Sequence, residues 1–293
     1  MKKDKLSEKD LDELLEQLSQ SAPAPSAPYS AEKSYHKLRR KLVEKKVRQL
    51  SFAKYAAAAS IVLILSFSAL LYLNKQSEIK TVVTTDYTQN VQLPDGSSVM
   101  LSRYSSLRYP SKFKKRNRKV EIEGEAYFEV TKDNKRPFVV FTENIQIQVL
   151  GTQFNVESYP KANYIKTTLV EGAVSVRNRQ NEDAIILSPN ESALFCKANE
   201  TLHKEYSENV KDEIAWKEGK LIFNNKKMNQ IAAGLSHFFN VSIVIPDSSL
   251  KEYRVTARFE QGESLDEMLN LLQSAANFNW KQVGAVITIT PNN

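Results

Sequence analysis

The sequence predicts a membrane-anchored, multidomain chain. It should comprise a short α-helical cytoplasmic head, one transmembrane helix, an all-β domain of sandwich or solenoid-like form, and a small α+β domain. Three observations carry this reading. A run of 20 uncharged residues occupies 55–74. Apolar residues recur at a period of two over 81–200. From Trp216 onward, period-two runs alternate with runs at a period near 3.6.

The run at 55–74 reads YAAAASIVLILSFSALLYLN and is bounded by Lys54 and Lys75. At about 1.5 Å rise per residue it covers about 30 Å, the thickness of a bilayer's hydrocarbon core. Its polar interruptions, Ser60, Ser66 and Ser68, can bond back to the helix backbone. A buried core helix rarely lacks a polar face over such a length. A cleaved signal peptide has a shorter apolar stretch, nearer the N-terminus. Lys37, Arg39, Arg40, Lys41, Lys45, Lys46, Arg48 and Lys54 precede the run, whereas only Lys75 and Lys80 follow closely. The positive-inside rule therefore places 1–54 in the cytoplasm and 75–293 outside, with Tyr55 and Tyr72 near the two interfaces. The expected location is the inner membrane, single-pass, with the bulk of the chain in the periplasm.

Composition narrows the function. A chain of 293 residues has room for about two domains. Its 26% charged and 41% hydrophobic residues exclude wholesale disorder. The net charge of +7 is uneven: residues 1–54 hold 13 Lys/Arg against 8 Asp/Glu, and the rest 28 against 26. This excess sits in one short stretch and does not by itself indicate nucleic-acid binding. The single cysteine, Cys196, excludes an internal disulfide framework and a cysteine-based zinc site. His36, His203 and His237 lie far apart, so no metal centre and no cofactor are indicated. Nucleophile elbow, HExxH, P-loop and GxGxxG motifs are all lacking, and pairs such as Glu121/Glu123 alternate with apolar residues as an exposed strand face does. No catalytic residue is expected.

In the head, residues 4–20 predict an acidic helix with Leu11, Leu14, Leu15 and Leu18 on one stripe and a capping box at Ser7 and Asp10. So short a helix needs a partner for its leucines. A Pro/Ala linker follows within 21–30, and residues 31–50 predict a basic helix carrying Tyr35, Leu38, Leu42, Val43, Val47 and Leu50. The stripe either docks on a cytoplasmic protein or packs back on the basic helix, leaving the basic face to anionic lipid. A third possibility is that 31–50 tracks DNA phosphates.

The clearest strand signal is the series Val120, Ile122, Gly124, Ala126, Phe128 and Val130, with Glu121, Glu123, Glu125, Tyr127 and Glu129 on the other face. Val91/Leu93 and Val99/Leu101 flank the turn Pro94-Asp95-Gly96-Ser97. Further strands are read at Phe138/Val140, Ile145/Ile147/Val149, Phe154/Val156, Ile165/Thr167/Leu169, Val174/Val176 and Ile185/Leu187. The basic cluster 112–119 (KFKKRNRK) reads as an exposed hairpin. After a polar stretch at 197–212, residues 213–291 predict the order β-α-β-β-α-β-β. The second helix carries Leu265, Met268, Leu269 and Leu272, and two strands close the chain.

These residues carry a resemblance. Leu93-Pro94-Asp95-Gly96-Ser97, the run from Arg118 to Val130, Arg136-Pro137-Phe138, Leu150-Gly151-Thr152-Gln153-Phe154-Asn155-Val156 and Val170-Glu171-Gly172 occur in that order just outside a single span. The chain resembles the FecR family of transmembrane anti-sigma regulators, and its tail is similar to the secretin/TonB short N-terminal module. The resemblance implies an extracytoplasmic-function sigma factor as cytoplasmic partner and the periplasmic signalling module of a TonB-dependent outer-membrane receptor as exported partner. Membrane lipid and periplasmic and intramembrane proteases are further partners, and no direct nucleic acid is expected. Leu11, Leu14, Leu15, Leu18, Tyr35, Leu38 and Leu42 are the sigma-binding candidates. Val286 and Thr288 are the receptor-binding candidates, on the supposition that theirs is an open edge strand. Pro94, Asp95, Gly96, Gly124, Glu125, Gly151, Thr152, Gly172 and Trp216 are expected to be structural. Many relatives have a longer, tryptophan-containing head, which this chain lacks. The other readings are a membrane-anchored envelope assembly protein and a transmembrane DNA-binding regulator.

Overall fold

The computed structural model describes residues 8–21, 30–73, 78–181, 184–207 and 209–292. The chain divides into two units, 1–75 and 76–293. In the first, α1 spans Glu8–Ser21 and α2 spans Ala31–Leu73. Ser7 of the expected capping box and the linker at 22–28 lie outside the described residues. The basic helix expected to stop at Leu50 does not stop: α2 continues into the apolar run, because no Pro or Gly between 31 and 73 interrupts its hydrogen-bond ladder. The span expected at 55–74 is therefore the end of a longer helix. Side chains at 56–57 and 69–74 lie outside the described residues, and among those described no helix is long and apolar enough to cross a membrane.

The second unit begins with β1 (Ile79–Val83), β2 (Gln89–Gln92), β3 (Ser98–Leu101), β4 (Ser106–Pro110), β5 (Arg118–Glu129), β6 (Phe138–Phe141) and β7 (Ile145–Val149). Then come β8 (Gln153–Ser158), β9 (Tyr164–Glu171), β10 (Val174–Asn178), β11 (Ala184–Leu187), β12 (Glu191–Cys196) and β13 (Thr201–Tyr206). These 13 strands form one sheet. The N-terminal half of β5 pairs with β4 and, in parallel, with β6. Its C-terminal half pairs with β3 and β8. One strand thus serves two layers, β11-β10-β7-β6-β5-β4-β1 and β2-β3-β5-β8-β9-β12-β13. The layers share a single core, in which Phe138, Val140 and Ile147 of one meet Phe128, Phe154 and Val156 of the other. The result is a barrel-like sandwich, not a solenoid.

The fold of β5 turns on Gly124. Its φ is +95°, and a Cβ there would lie 2.8 Å from the Ser105 Cα. Only glycine adopts this conformation without strain and admits this approach. On either side of it the alternation holds: Val120, Ile122, Ala126 and Phe128 are buried, each contributing about 1–3 kcal/mol by leaving water.

Four strands lie where none was expected. β1, β4 and β12 have short or ambiguous alternation. The stretch 197–212, read only as polar, holds β13 and the start of a short helix, α3 (Val210–Glu213). β13 is an outer strand largely open to solvent, so its polar sequence hid it.

A single 3₁₀ turn at Ala215–Glu218 leads into β14 (Leu221–Lys227), α4 (Met228–Phe239), β15 (Ser242–Val244), α5 (Ser248–Glu252), β16 (Arg254–Phe259), α6 (Leu265–Ala276), β17 (Phe278–Val283) and β18 (Val286–Pro291). The expected order gains α5. This helix is capped by Asp247, whose carboxylate accepts from Leu250 N at 2.7 Å, and it is too short to show a helical period. The tail has its own core, with Met228, Ile231 and Leu235 of α4, Met268, Leu269 and Leu272 of α6, and Ile287 and Ile289 of β18.

Candidate functional site

The residues that sequence singles out fall in three regions and on β18. In the head, the Tyr35 hydroxyl donates to Asp12 Oδ1 at 3.1 Å, linking α2 to α1. The leucines stay open all the same: Leu14 is 50% exposed, Leu15 37% and Leu18 57%, while Tyr35 and Leu38 are exposed on α2. Leu11 and Leu42 lie on these helices, with side chains outside the described residues. The structure therefore places the candidate sigma-binding side chains that it describes on solvent-facing helix surfaces.

The second region is structural, and sequence missed its main feature. Arg118, part of the cluster expected to be exposed, is 1% exposed. Its Nη1 lies 2.8 Å from Asp95 Oδ2 and donates to Thr131 O at 2.7 Å, and its Nε donates to Arg136 O at 3.0 Å. The Asp95 carboxylate also accepts from Ser97 N and Oγ, and Ser97 Oγ accepts from Thr131 N. The Pro94-Asp95-Gly96 turn, the start of β5 and the segment at 131–137 are thereby knotted together. A buried ion pair of this kind is bound by its hydrogen bonds as much as by Coulomb attraction. Thr152 Oγ1 donates to Ala173 O at 3.1 Å, with Gly151 against Lys132 and Gly172 against Gly151 and Thr152. Trp216 is buried in the turn before the tail.

The third region is a cleft of about 1250 Å³ between the outer face of the sheet and the tail. Glu125 of β5, expected on an open face, lines it and is half-buried, and Tyr127 on the same face is buried beside it. His237 of α4 stacks on Tyr159 at 4.4 Å, with its Nδ1 3.2 Å from Glu157 Oε1. The Arg103 guanidinium lies 4.2 Å over the Phe238 ring, and Lys217 Nζ 3.5 Å over that of Tyr127. Glu213 accepts from Lys166 at 2.5 Å and from Lys226 at 3.5 Å.

Burial, then the Glu157 carboxylate, hold the Glu125 carboxyl well above its ordinary range, against the hydrogen bond from Asn155. Burial also pushes Glu213 upward, but Lys166 and Lys226 outweigh it and leave that carboxyl below its ordinary range. Burial pushes the Tyr127 hydroxyl up to about 12, with Glu129 and Glu171 adding to it. These groups interlock two parts of the chain, and among the described residues no His/Cys/Asp/Glu group has the makings of a metal site.

The receptor-binding candidates need correction. β18 is not an edge strand: β15 pairs with it in parallel on one side and β17 antiparallel on the other. Val286 is opposite Ser242 and Val283, and Thr288 is opposite Val244 and Lys281. The supposition failed because the closing hairpin inserts beside β15, which lies more than 40 residues upstream of β18. The outer strands of this sheet are β15 and β17.

Two family profiles match the chain: FecR protein over residues 78–175, and FecR, C-terminal, over residues 220–289. Two crystal structures of a candidate anti-sigma factor from Parabacteroides distasonis ATCC 8503 are similar to it. They are 27% and 28% identical, cover 73% and 74% of this chain and 100% of their own, and superpose with a TM-score of 0.65 each. No curated protein matches the chain. The first match covers the barrel-like sheet from β1 to the start of β10 and the second covers the tail, and together they make this chain a member of the FecR family of anti-sigma regulators.

Proposed function

We propose that the chain is an anti-sigma factor that relays a signal from a TonB-dependent outer-membrane receptor to an extracytoplasmic-function sigma factor. The observation that carries this reading is the coexistence of both FecR segments with a head whose Leu14, Leu15 and Leu18 are left open. An amphipathic helix with an unfilled apolar stripe suits a helix-in-groove contact, here with the sigma factor. In this reading, 55–74 crosses the inner membrane, for which the charge-free run and its basic N-terminal flank speak. The head then lies in the cytoplasm and the rest in the periplasm. There the outer strands β15 and β17 offer unpaired backbone groups to a strand of the receptor's signalling module. The chain binds and releases partners and has no reaction of its own.

The test is co-purification. The tagged full chain, extracted from its native membrane in mild detergent, should bring down one sigma factor identifiable by mass spectrometry. Leu14→Asp with Leu18→Asp should lose it while the variant is still found in the membrane fraction. Recovery of no sigma factor from the parent would sink the proposal. Undiminished capture by the variant would move the contact to Tyr35 and Leu38.

A further inference from the structure

The loop joining β4 to β5 holds Lys112, Lys114, Lys115 and Arg116, all exposed. Among the described residues none of the four is ion-paired, whereas Glu121 on the adjoining strand face is already paired with Arg108 at 3.2 Å. The loop is fixed in place. Phe113, between the lysines, turns inward onto the core and meets Phe138 edge-on at 6.1 Å. With Phe113 as a staple, its neighbours are presented outward together.

The position of the loop gives these charges a meaning. β1 pairs with β4 so that Ile79 lies opposite Pro110, and Ser111 N donates to Glu78 O at 2.7 Å. The basic loop is therefore held at the very entrance of the second unit. Glu78 follows the end of the apolar run at Asn74 by four peptide steps, which reach at most about 14 Å. If 55–74 spans the membrane, the loop cannot stand far from the lipid surface. We propose that 111–117 is a contact for anionic phospholipid headgroups, seating the exported part on the outer leaflet of the membrane that anchors it. This rests on the reading of 55–74 as a span. It does not conflict with the charge rule for orientation, which counts residues within about 15–20 of the span, whereas these lie further along. Exposed Ile79, beside the loop, can sit at the same interface.

The experiment uses the full chain with Ser111→Cys and Cys196→Ser, labelled with a fluorophore and reconstituted into vesicles containing headgroup-quencher lipid. Phosphatidylcholine alone is compared with phosphatidylcholine plus phosphatidylglycerol. Quenching should rise with phosphatidylglycerol and fall in high salt, where the screening length shrinks to a few Å. It should be lost in Lys112→Gln/Lys114→Gln/Lys115→Gln/Arg116→Gln, since each charge multiplies the docked ratio about fivefold. Thermal unfolding of that variant, unchanged from the parent, excludes misfolding. Alkaline carbonate extraction is measured in parallel. A chain that resists extraction but quenches equally in both lipids, or equally with and without the four charges, overturns the lipid contact and leaves the span standing. A chain released by carbonate overturns the span and the contact with it.

Discussion

The helices α1 and α6 are near copies in pattern and opposite in fate. Leu11-Asp12-Glu13-Leu14-Leu15 answers to Leu265-Asp266-Glu267-Met268-Leu269, and the two stripes continue at Leu18 and Leu272 in the same register. In α6 the stripe is filled: Met268, Leu269 and Leu272 are buried in the tail's core. In α1, Leu14, Leu15 and Leu18 face solvent. An amphipathic pattern records that a helix needs a partner and says nothing of whether the chain supplies it. The same division between groups with and without an internal partner recurs through the molecule, and it can be tested pair by pair.

The largest effect is expected at the helices themselves. Leu269→Asp buries an unpaired carboxylate in the tail core and should cost more than about 4 kcal/mol, unfolding the tail. Leu14→Asp, at the matching place in α1, should leave thermal unfolding unchanged and weaken sigma-factor capture alone. If both variants unfold alike, α1 has an internal partner and the contrast collapses.

Arg118 and Lys115 form the next pair. Arg118→Gln leaves Asp95 buried without its cation, at a cost of about 3–5 kcal/mol. Lys115→Gln should shift stability by less than about 0.5 kcal/mol. Urea unfolding of both, with equal slopes, measures the difference.

Gly124 and Gly219 sharpen the comparison in the backbone, because both have positive φ and only Gly124 has a close neighbour. Gly219→Ala meets strain alone, about 1–2 kcal/mol. Gly124→Ala meets the same strain and Ser105 as well, so it should cost about 1–3 kcal/mol more. Equal losses would show that Ser105 moves aside freely.

What was legible follows the same line. The alternation of β5, the turn at Asp95-Gly96 and the stripe of α6 are local, with the period or the turn residue written in a few consecutive positions. The Asp95–Arg118 pair bridges 23 residues, and no local pattern marks Arg118 as different from the lysines before it. Glu125 and Tyr127 looked like open strand positions because the cover comes from His237, Glu213 and Lys217, far along the chain. β18 looked like an edge because its parallel partner, β15, is separated from it by two helices and two strands. Open surfaces and covered surfaces share a composition wherever the cover is itself polar.

The last pair lies on one strand face. Glu123 is exposed, whereas Glu125, two residues on, is half-buried beneath the tail, with its carboxyl held well above the ordinary range by burial and by Glu157. A carboxyl raised in the folded state favours folding most below its unfolded value, near 4.3, and this contribution is lost as pH rises through the raised value. Glu213 has the opposite sign: lowered in the folded state, it contributes above that unfolded value and loses its contribution as pH falls through the lowered one. The cleft is therefore opposed by Glu125 on the alkaline side and by Glu213 on the acid side. Glu125→Gln keeps an oxygen to accept from Asn155 and removes the ionisation. It should raise the unfolding temperature at pH 8 by about 2–4 °C, the shift that about 1 kcal/mol gives at this size, and have little effect at pH 4. Glu123→Gln should leave the whole curve in place. The measurement is thermal unfolding of the full chain in detergent between pH 4 and pH 8. A Glu125→Gln curve parallel to the parent's would mean that the tail does not bury this carboxyl, and that the whole outer face of β5 is as open as its sequence suggests.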